Sequence, residues 1–313
     1  MTRVRNQITP AYTANTTYAS KLAYFSTSHS GINTLFFGSS LTYRQVNPQI
    51  IDSSLRDYKL SSFNFGSEGT YTPESLLLAD KLLENEALSS GIKYIFVELT
   101  NPFPITLLNG CAARSYYYFD FDYLKFAYHY YHLNKKLNFR RVKLAGLFIQ
   151  GYLLNLFFPG IPITNSSTNI VLGANHDGFF PLEQAQLMSK KENFKARHQQ
   201  FLNDTTVIHK RKPMVQNLSK DYTALLDGMI LKFGEKKVEL FFIVPYMADN
   251  QFPLVDTNRV IYLYDPVSNP GKYMAHDFFD HAHLNQAGAN LNSVQISAEI
   301  RKKFRDSHIL PVI

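Results

Sequence analysis

The chain has 313 residues, 45% of them hydrophobic and 18% charged, with a formal net charge of +7. That length supports a sizeable core, and that apolar content excludes a disordered chain, which could not bury enough surface to offset its ordering entropy. A lone cysteine, Cys111, excludes an internal disulfide. The charge is segmental: Asn109–Asp221 holds 15 of the 32 Lys and Arg but only 7 of the 25 Asp and Glu. No zinc-finger spacing, arginine-rich run or RNA-binding aromatic signature accompanies it, so nucleic acid is not an expected partner. Met1–Tyr24 contains no apolar leader-like run. The longest greasy stretch, Leu144–Phe158, is interrupted by Gln150 and Asn155 and falls short of the roughly 20 residues a membrane span needs.

Short apolar runs bounded by turn residues read as buried parallel strands, whose two covered faces remove the alternation of a half-exposed strand. In chain order the runs are Asn33–Phe37, Ser61–Phe65, Lys93–Leu99, Val238–Val244 and Val260–Tyr264. Between and after them the leucine spacing of Pro73–Ala87 predicts a helix opening on a first-turn proline, and Met214–Phe233 predicts another that stops at Gly234. Asn285 is the expected cap of a last helix running to Phe304. This alternation predicts an α/β fold: a doubly wound, flavodoxin-like parallel sheet of five strands flanked by helices, with a large, mostly helical insertion after the third strand. The corresponding boundaries are an N-terminal extension at 1–30, an α/β domain built from 31–109 and 216–313, and the insertion at 110–215, part of the same domain.

Candidate chemistry gathers at strand ends, where an open parallel sheet forms its ligand crevice. After the first strand, Gly38-Ser-Ser-Leu41 places Ser40 as a nucleophile, and its N–H at a helix start faces developing negative charge. After the second, Asn64-Phe-Gly-Ser-Glu-Gly69 offers Gly69 as a backbone donor to an oxyanion, a glycine letting substrate approach closely. After the third, Glu98-Leu-Thr-Asn101 offers Asn101 as a side-chain donor. Before the last helix, Asp280-His-Ala-His283 is a local pair in which Asp280 accepts the Nδ1 proton of His283 and turns Nε2 outward as general base. Taken one at a time, each motif also reads as a turn or a cap. A metal site is the competing reading of His276, Asp280, His281 and His283, but no second cluster completes it, and neither metal nor organic cofactor is expected.

The order and content of these four segments resemble the SGNH hydrolases, the GDSL-like esterases, over 31–109 and 216–313, which is 177 of the 313 residues. Ser39 stands where the family pattern carries Asp, and Pro102 follows Asn101 where the pattern continues with Asp, which resembles a divergent Gly-Ser-Ser branch of bacterial proteins. The resemblance implies a triad of Ser40, His283 and Asp280 and an oxyanion site of Ser40, Gly69 and Asn101. It implies a serine-dependent ester hydrolase or acyltransferase acting on a small O-acyl ester, with O-acetyl on a carbohydrate the leading instance. The alternative is a non-catalytic SGNH-like binding or accessory protein of cell-envelope polysaccharide metabolism. Residence in a bacterial periplasm or cell envelope would require a leader, and without one the cytoplasm is expected. An ordinary α/β-hydrolase fits less well, since Gly38-x-Ser40-x-Thr42 lacks the second glycine of a nucleophile elbow.

The insertion holds ten Phe or Tyr in the eighteen residues of Arg114–Tyr131 and the basic run Lys135, Lys136, Arg140, Arg141 and Lys143. A lid contacting polysaccharide or an acyl chain, a peripheral membrane helix, and a plain helical subcore with a solvated basic face are all open on this composition. Asn175–Pro181 reads as a loop whose destination the sequence leaves open.

Overall fold

A computed structural model describes residues 17–70, 72–100, 172–184, 192–204, 214–218, 220–246, 251–254, 258–263 and 274–309, with scattered positions between 121 and 153. The strands are β1 (Thr34–Phe37), β2 (Ser62–Asn64), β3 (Tyr94–Glu98), β4 (Met214–Asn217), β5 (Glu239–Val244), β6 (Gln251–Leu254) and β7 (Val260–Tyr262). Five of them form one sheet in the order β2-β1-β3-β5-β7, every pair parallel, while β4 and β6 pair with each other. The five main-sheet strands are those expected from the apolar runs. Their spatial order, 2-1-3-4-5 when counted among themselves, is that of a flavodoxin-like doubly wound fold.

Helices cover both faces, as the strand composition requires. They are α1 (Thr17–Ser28), α2 (Ser40–Gln45), α3 (Pro48–Ser54), α4 (Thr72–Glu84), α5 (Glu86–Ser89), α6 (Glu192–Asn203), α7 (Lys220–Glu235) and α8 (Gln286–Asp306). Leu35, Phe37, Ile95, Val97, Leu240 and Phe242 point to one face and bury against α1, α4 and α7. Phe36, Phe96, Phe241 and Ile243 point to the other and bury against α3 and α8. On that second face Phe36, Phe96 and Phe241 stack across three adjacent strands with centroids 5.0 and 5.3 Å apart, so β1, β3 and β5 share one register.

The helix expected over 214–233 starts later. Met214–Asn217 is strand β4, and α7 begins at Lys220. The apolar spacing that extended the prediction backwards includes Leu218, which lies in the connection between the two elements. At its other end α7 runs one residue past Gly234, and the chain turns instead at Lys237, whose φ of +60° is left-handed and whose N–H bonds Gly234 O at 2.9 Å. The segment expected as one helix over 73–87 is divided at Asn85 into α4 and α5.

Residues 17–28 of the N-terminal extension form α1, which places Tyr18 and Phe25 in the main core. Of the insertion, the described positions between 139 and 153 and the span of α6 are helical, and 172–181 is a loop. The aromatic patch apart from Phe121, the basic run apart from Lys143, and Asn101 lie outside the described residues. Among the described residues, no helix is long and apolar enough to cross a membrane.

Candidate active site

The crevice opens where the chain leaves β1 for β2 on one side and returns through β3 on the other. Gly38 follows β1 in a close-packed space: a Cβ there would lie 2.0 Å from Thr42 Oγ1 and 2.5 Å from Glu98 Oε2, so these groups would have to shift. Ser39 then caps α2 by accepting Leu41 N at 3.1 Å, which puts Ser40 in the first helical position, half-buried. Beneath α2, Leu41, Thr42 and Glu98 border a small pocket that Phe37, Val46, Ile243, Pro245 and Leu263 also line; neither Ser40 nor His283 is among its lining residues.

The loop before α8 brings His283, the candidate base, to this serine. An isolated antiparallel bridge between Phe278 and Leu284 pinches the loop, and Phe279 N donates to His283 O at 2.9 Å. Asp280 Oδ1 sits inside the pinch and accepts Ala282 N, His283 N and His283 Nδ1 at 2.8, 2.8 and 2.9 Å. Asp280 as carboxylate is acceptor-only, so Nδ1 is the donor to it, and in the neutral imidazole Nε2 then presents its lone pair. That lone pair faces Ser40 Oγ at 2.9 Å. The Asp280 side chain is 5% exposed and that of His283 13%, which leaves the pair shielded but reachable. The cap expected at Asn285 is present, its side chain accepting Gly288 N at 2.9 Å, so α8 starts at a fixed distance from the base.

The second-strand segment is tied to α2 by a residue that the sequence motif contained without marking its role. Asn64, fully buried at the end of β2, donates to Thr42 O and Val46 O at 2.8 and 2.7 Å and accepts Gly66 N at 2.8 Å. Gly66 packs so closely that a Cβ would stand 2.4 Å from Tyr43 N. Gly69 occupies the following turn with φ +69°, and neither its N–H nor that of Ser40 has an acceptor among the described residues. Asn101, the third expected oxyanion donor, lies outside the described residues. The strand leading towards it is pinned, since Thr72 Oγ1 donates to Glu98 O at 2.9 Å and accepts Thr100 N at 2.7 Å.

Behind α2 lies a buried ionic group. Lys21 of α1 is 1% exposed, donates to Gly66 O at 2.7 Å and stands 3.9 Å from the centre of the Tyr43 ring. Burial, with Arg44 nearby, holds its amine well below the usual lysine range. Arg44 pairs with Glu68 and donates to Phe180 O at 2.9 Å, and its guanidinium lies over Tyr43. Burial raises the Tyr43 hydroxyl above its ordinary value.

The loop at 172–181, whose destination the sequence leaves open, runs to this same place. Asp177 O accepts Asn64 N at 2.8 Å, Phe180 N donates to Tyr43 O at 3.3 Å, and Glu183 Oε1 accepts the first amide of α8 at 2.7 Å. Phe180 and Leu182 bury with Tyr43 and Phe279, and His198 of α6 stacks on Phe279 while bonding its carbonyl at 2.7 Å. Returning segments of the insertion therefore buttress the serine helix and the histidine loop together.

Of the four residues in the metal reading, Asp280 and His283 face each other, His276 projects outward with its side chain 80% exposed, and His281 packs edge-on to Phe201. Among the described residues no three His, Cys, Asp or Glu side chains gather as a metal site. Comparison of the chain with protein-family models, with curated proteins and with solved structures found no match.

Proposed function

We propose that the protein is a serine-dependent ester hydrolase or acyltransferase of the SGNH type, acting on a small O-acyl ester. The observation that carries this reading is the unbroken chain from Ser40 Oγ to His283 Nε2 and from His283 Nδ1 to Asp280 Oδ1, 2.9 Å at each step. It joins residues 243 positions apart.

A serine hydroxyl is hardly ionised at neutral pH and attacks a carbonyl only as a base removes its proton. His283 Nε2 accepts that proton as Ser40 Oγ bonds to the acyl carbon, and Asp280 stabilises the imidazolium across Nδ1–H. The carbonyl oxygen, now an oxyanion, takes hydrogen bonds from the amides of Ser40 and Gly69, with Asn101 as third donor. Each such donor contributes about 3 kcal/mol in the transition state. Collapse expels the alcohol, which leaves with the proton held by His283. Water, or a sugar hydroxyl in a transferase, then attacks the acyl-serine with His283 again as base.

The non-catalytic alternative keeps the triad residues without a working oxyanion site, and ester turnover separates it from the catalytic reading. Initial rates on p-nitrophenyl acetate, butyrate and octanoate test the proposal. The short ester is expected to turn over fastest and Ser40→Ala to abolish the rate. Turnover absent from the wild type, or unchanged in Ser40→Ala, would overturn it.

A further inference from the structure

Beside the triad, the most heavily bonded side chain at the crevice is one to which the scheme above gives no part. Glu98 is the last residue of β3, 3% exposed, and its carboxylate lies under the first turn of α2. Oε2 accepts Ser39 N at 2.9 Å, Thr42 N at 3.1 Å and Thr42 Oγ1 at 2.7 Å, while Oε1 accepts Ser39 Oγ at 2.6 Å. Ser39 Oγ in turn accepts Leu41 N at 3.1 Å. Three of the four amides from Ser39 to Thr42 are thus tied, directly or through one hydroxyl, to a single carboxylate anchored in the central sheet. The exception is the N–H of Ser40, which has no acceptor among the described residues.

We infer that Glu98 is a positioning residue, a carboxylate clamp that sets the Ser39–Thr42 turn so that Ser40 alone directs its hydroxyl at His283 and its N–H at substrate. The geometry leaves no slack for another arrangement. A Cβ at Gly38 would lie 2.5 Å from Glu98 Oε2, so strand end and carboxylate fit only with glycine between them. The clamp also accounts for Ser39: its hydroxyl both reaches Oε1 and caps Leu41, an arrangement in which the carboxylate of the turn comes from β3. Burial raises the proton affinity of Glu98 and the four hydrogen bonds oppose that rise.

The kinetic arm of the test rests on the serine-hydrolase reading, and the spectroscopic arm does not. Glu98→Gln keeps the shape: its oxygen can accept the two amides, and its NH₂ can donate to Ser39 Oγ. Glu98→Asp withdraws the carboxylate by one methylene, and Glu98→Ala removes every acceptor. In variants shown to be folded by circular dichroism, the His283 ring nitrogens are followed by ¹⁵N NMR, with assignment from His283→Gln. Ser40→Ala supplies the signature of a Nε2 that has lost its hydroxyl. Glu98→Asp and Glu98→Ala are expected to reproduce that signature and Glu98→Gln to keep the wild-type one. On p-nitrophenyl acetate kcat is expected to fall about 100-fold in Asp and Ala, with KM within about threefold, because a misplacement near 1 Å costs that much. Glu98→Gln is expected to stay within about tenfold. If Glu98→Ala does not fold, Glu98→Asp decides. A wild-type His283 signature in Glu98→Asp, even with lower thermal stability, would reduce Glu98 to a structural residue and overturn the inference. If the wild type hydrolyses no ester, the serine-hydrolase reading falls and the NMR comparison still decides the role of Glu98.

Discussion

The serine turn and the histidine loop are each built around one buried carboxylate, but the two carboxylates stand at different removes from the proposed chemistry. Asp280 accepts two backbone amides of its own loop and also the ring proton of His283, so it sets both the loop and the tautomer. Glu98 accepts two backbone amides of the serine turn and two hydroxyls, with no bond to Ser40 Oγ. Under the proposed mechanism, one carboxylate orients a reacting group directly, and the other orients the backbone that carries one. Charge therefore matters at Asp280 where shape matters at Glu98, and the same isosteric change at each should separate them.

The largest effect belongs to Asp280→Asn. Its oxygen can still accept Ala282 N and His283 N, but its NH₂ faces Nδ1, so the ring proton moves to Nε2 and the base is lost. We expect kcat to fall on the order of 10⁴-fold with little change in Tm, against about tenfold or less for Glu98→Gln. Equal losses in the two variants would erase the distinction. Next in size is Gly38→Ala, whose Cβ would meet Thr42 Oγ1 and Glu98 Oε2, groups already bonded to each other and walled in. A loss of about 2–3 kcal/mol in urea unfolding is expected. A change below about 0.5 kcal/mol would mean that the turn yields and the clamp is loose.

The smallest effect is at a third carboxylate of similar construction, away from the crevice. Asp52 of α3 accepts Ser62 N and Ser62 Oγ at 2.9 and 2.5 Å, and burial, outweighing those bonds, lifts its pKa from 3.8 to about 6. The unfolded chain releases this proton first, so between about pH 4 and 6 the folded state binds more protons and stability falls as pH rises. Above pH 6 that penalty is constant. Asp52→Asn should remove the fall and gain about 1–2 kcal/mol on the wild type at pH 7 relative to pH 3.5, with no change in ester turnover. A stability difference independent of pH would show that the Ser62 hydrogen bonds cancel the effect of burial, and a wild type that gains on the variant as pH rises would show that they outweigh it.

Legibility in the sequence follows from separation along the chain. The five main-sheet strands could be read because burial on both faces leaves continuous apolar runs, and Asp280–His283 because an i, i+3 pair lies on one loop. Glu98 was contained in the third motif, but its partners are 56 and 59 residues away, and no local pattern records them. β4 was missed because Met214-Val-Gln-Asn217 has no apolar run and pairs with Gln251–Leu254, equally mixed. Helix α1 was missed for a different reason. Tyr18, Lys21, Leu22 and Phe25 follow helical spacing, but a lysine occupies the inward stripe, and only the structure shows that Gly66 O and the Tyr43 ring receive it. The return of 172–181 to the crevice rests on backbone carbonyls and amides, which sequence does not distinguish.

The central claim is that Ser40 is an activated nucleophile, and labelling with a fluorophosphonate tests it most directly. Intact-mass and peptide mass spectrometry should show one adduct per chain, on Ser40, formed quickly in the wild type and not at all in His283→Ala. A wild-type protein that stays unlabelled, or a His283→Ala variant labelled at the wild-type rate, would contradict it.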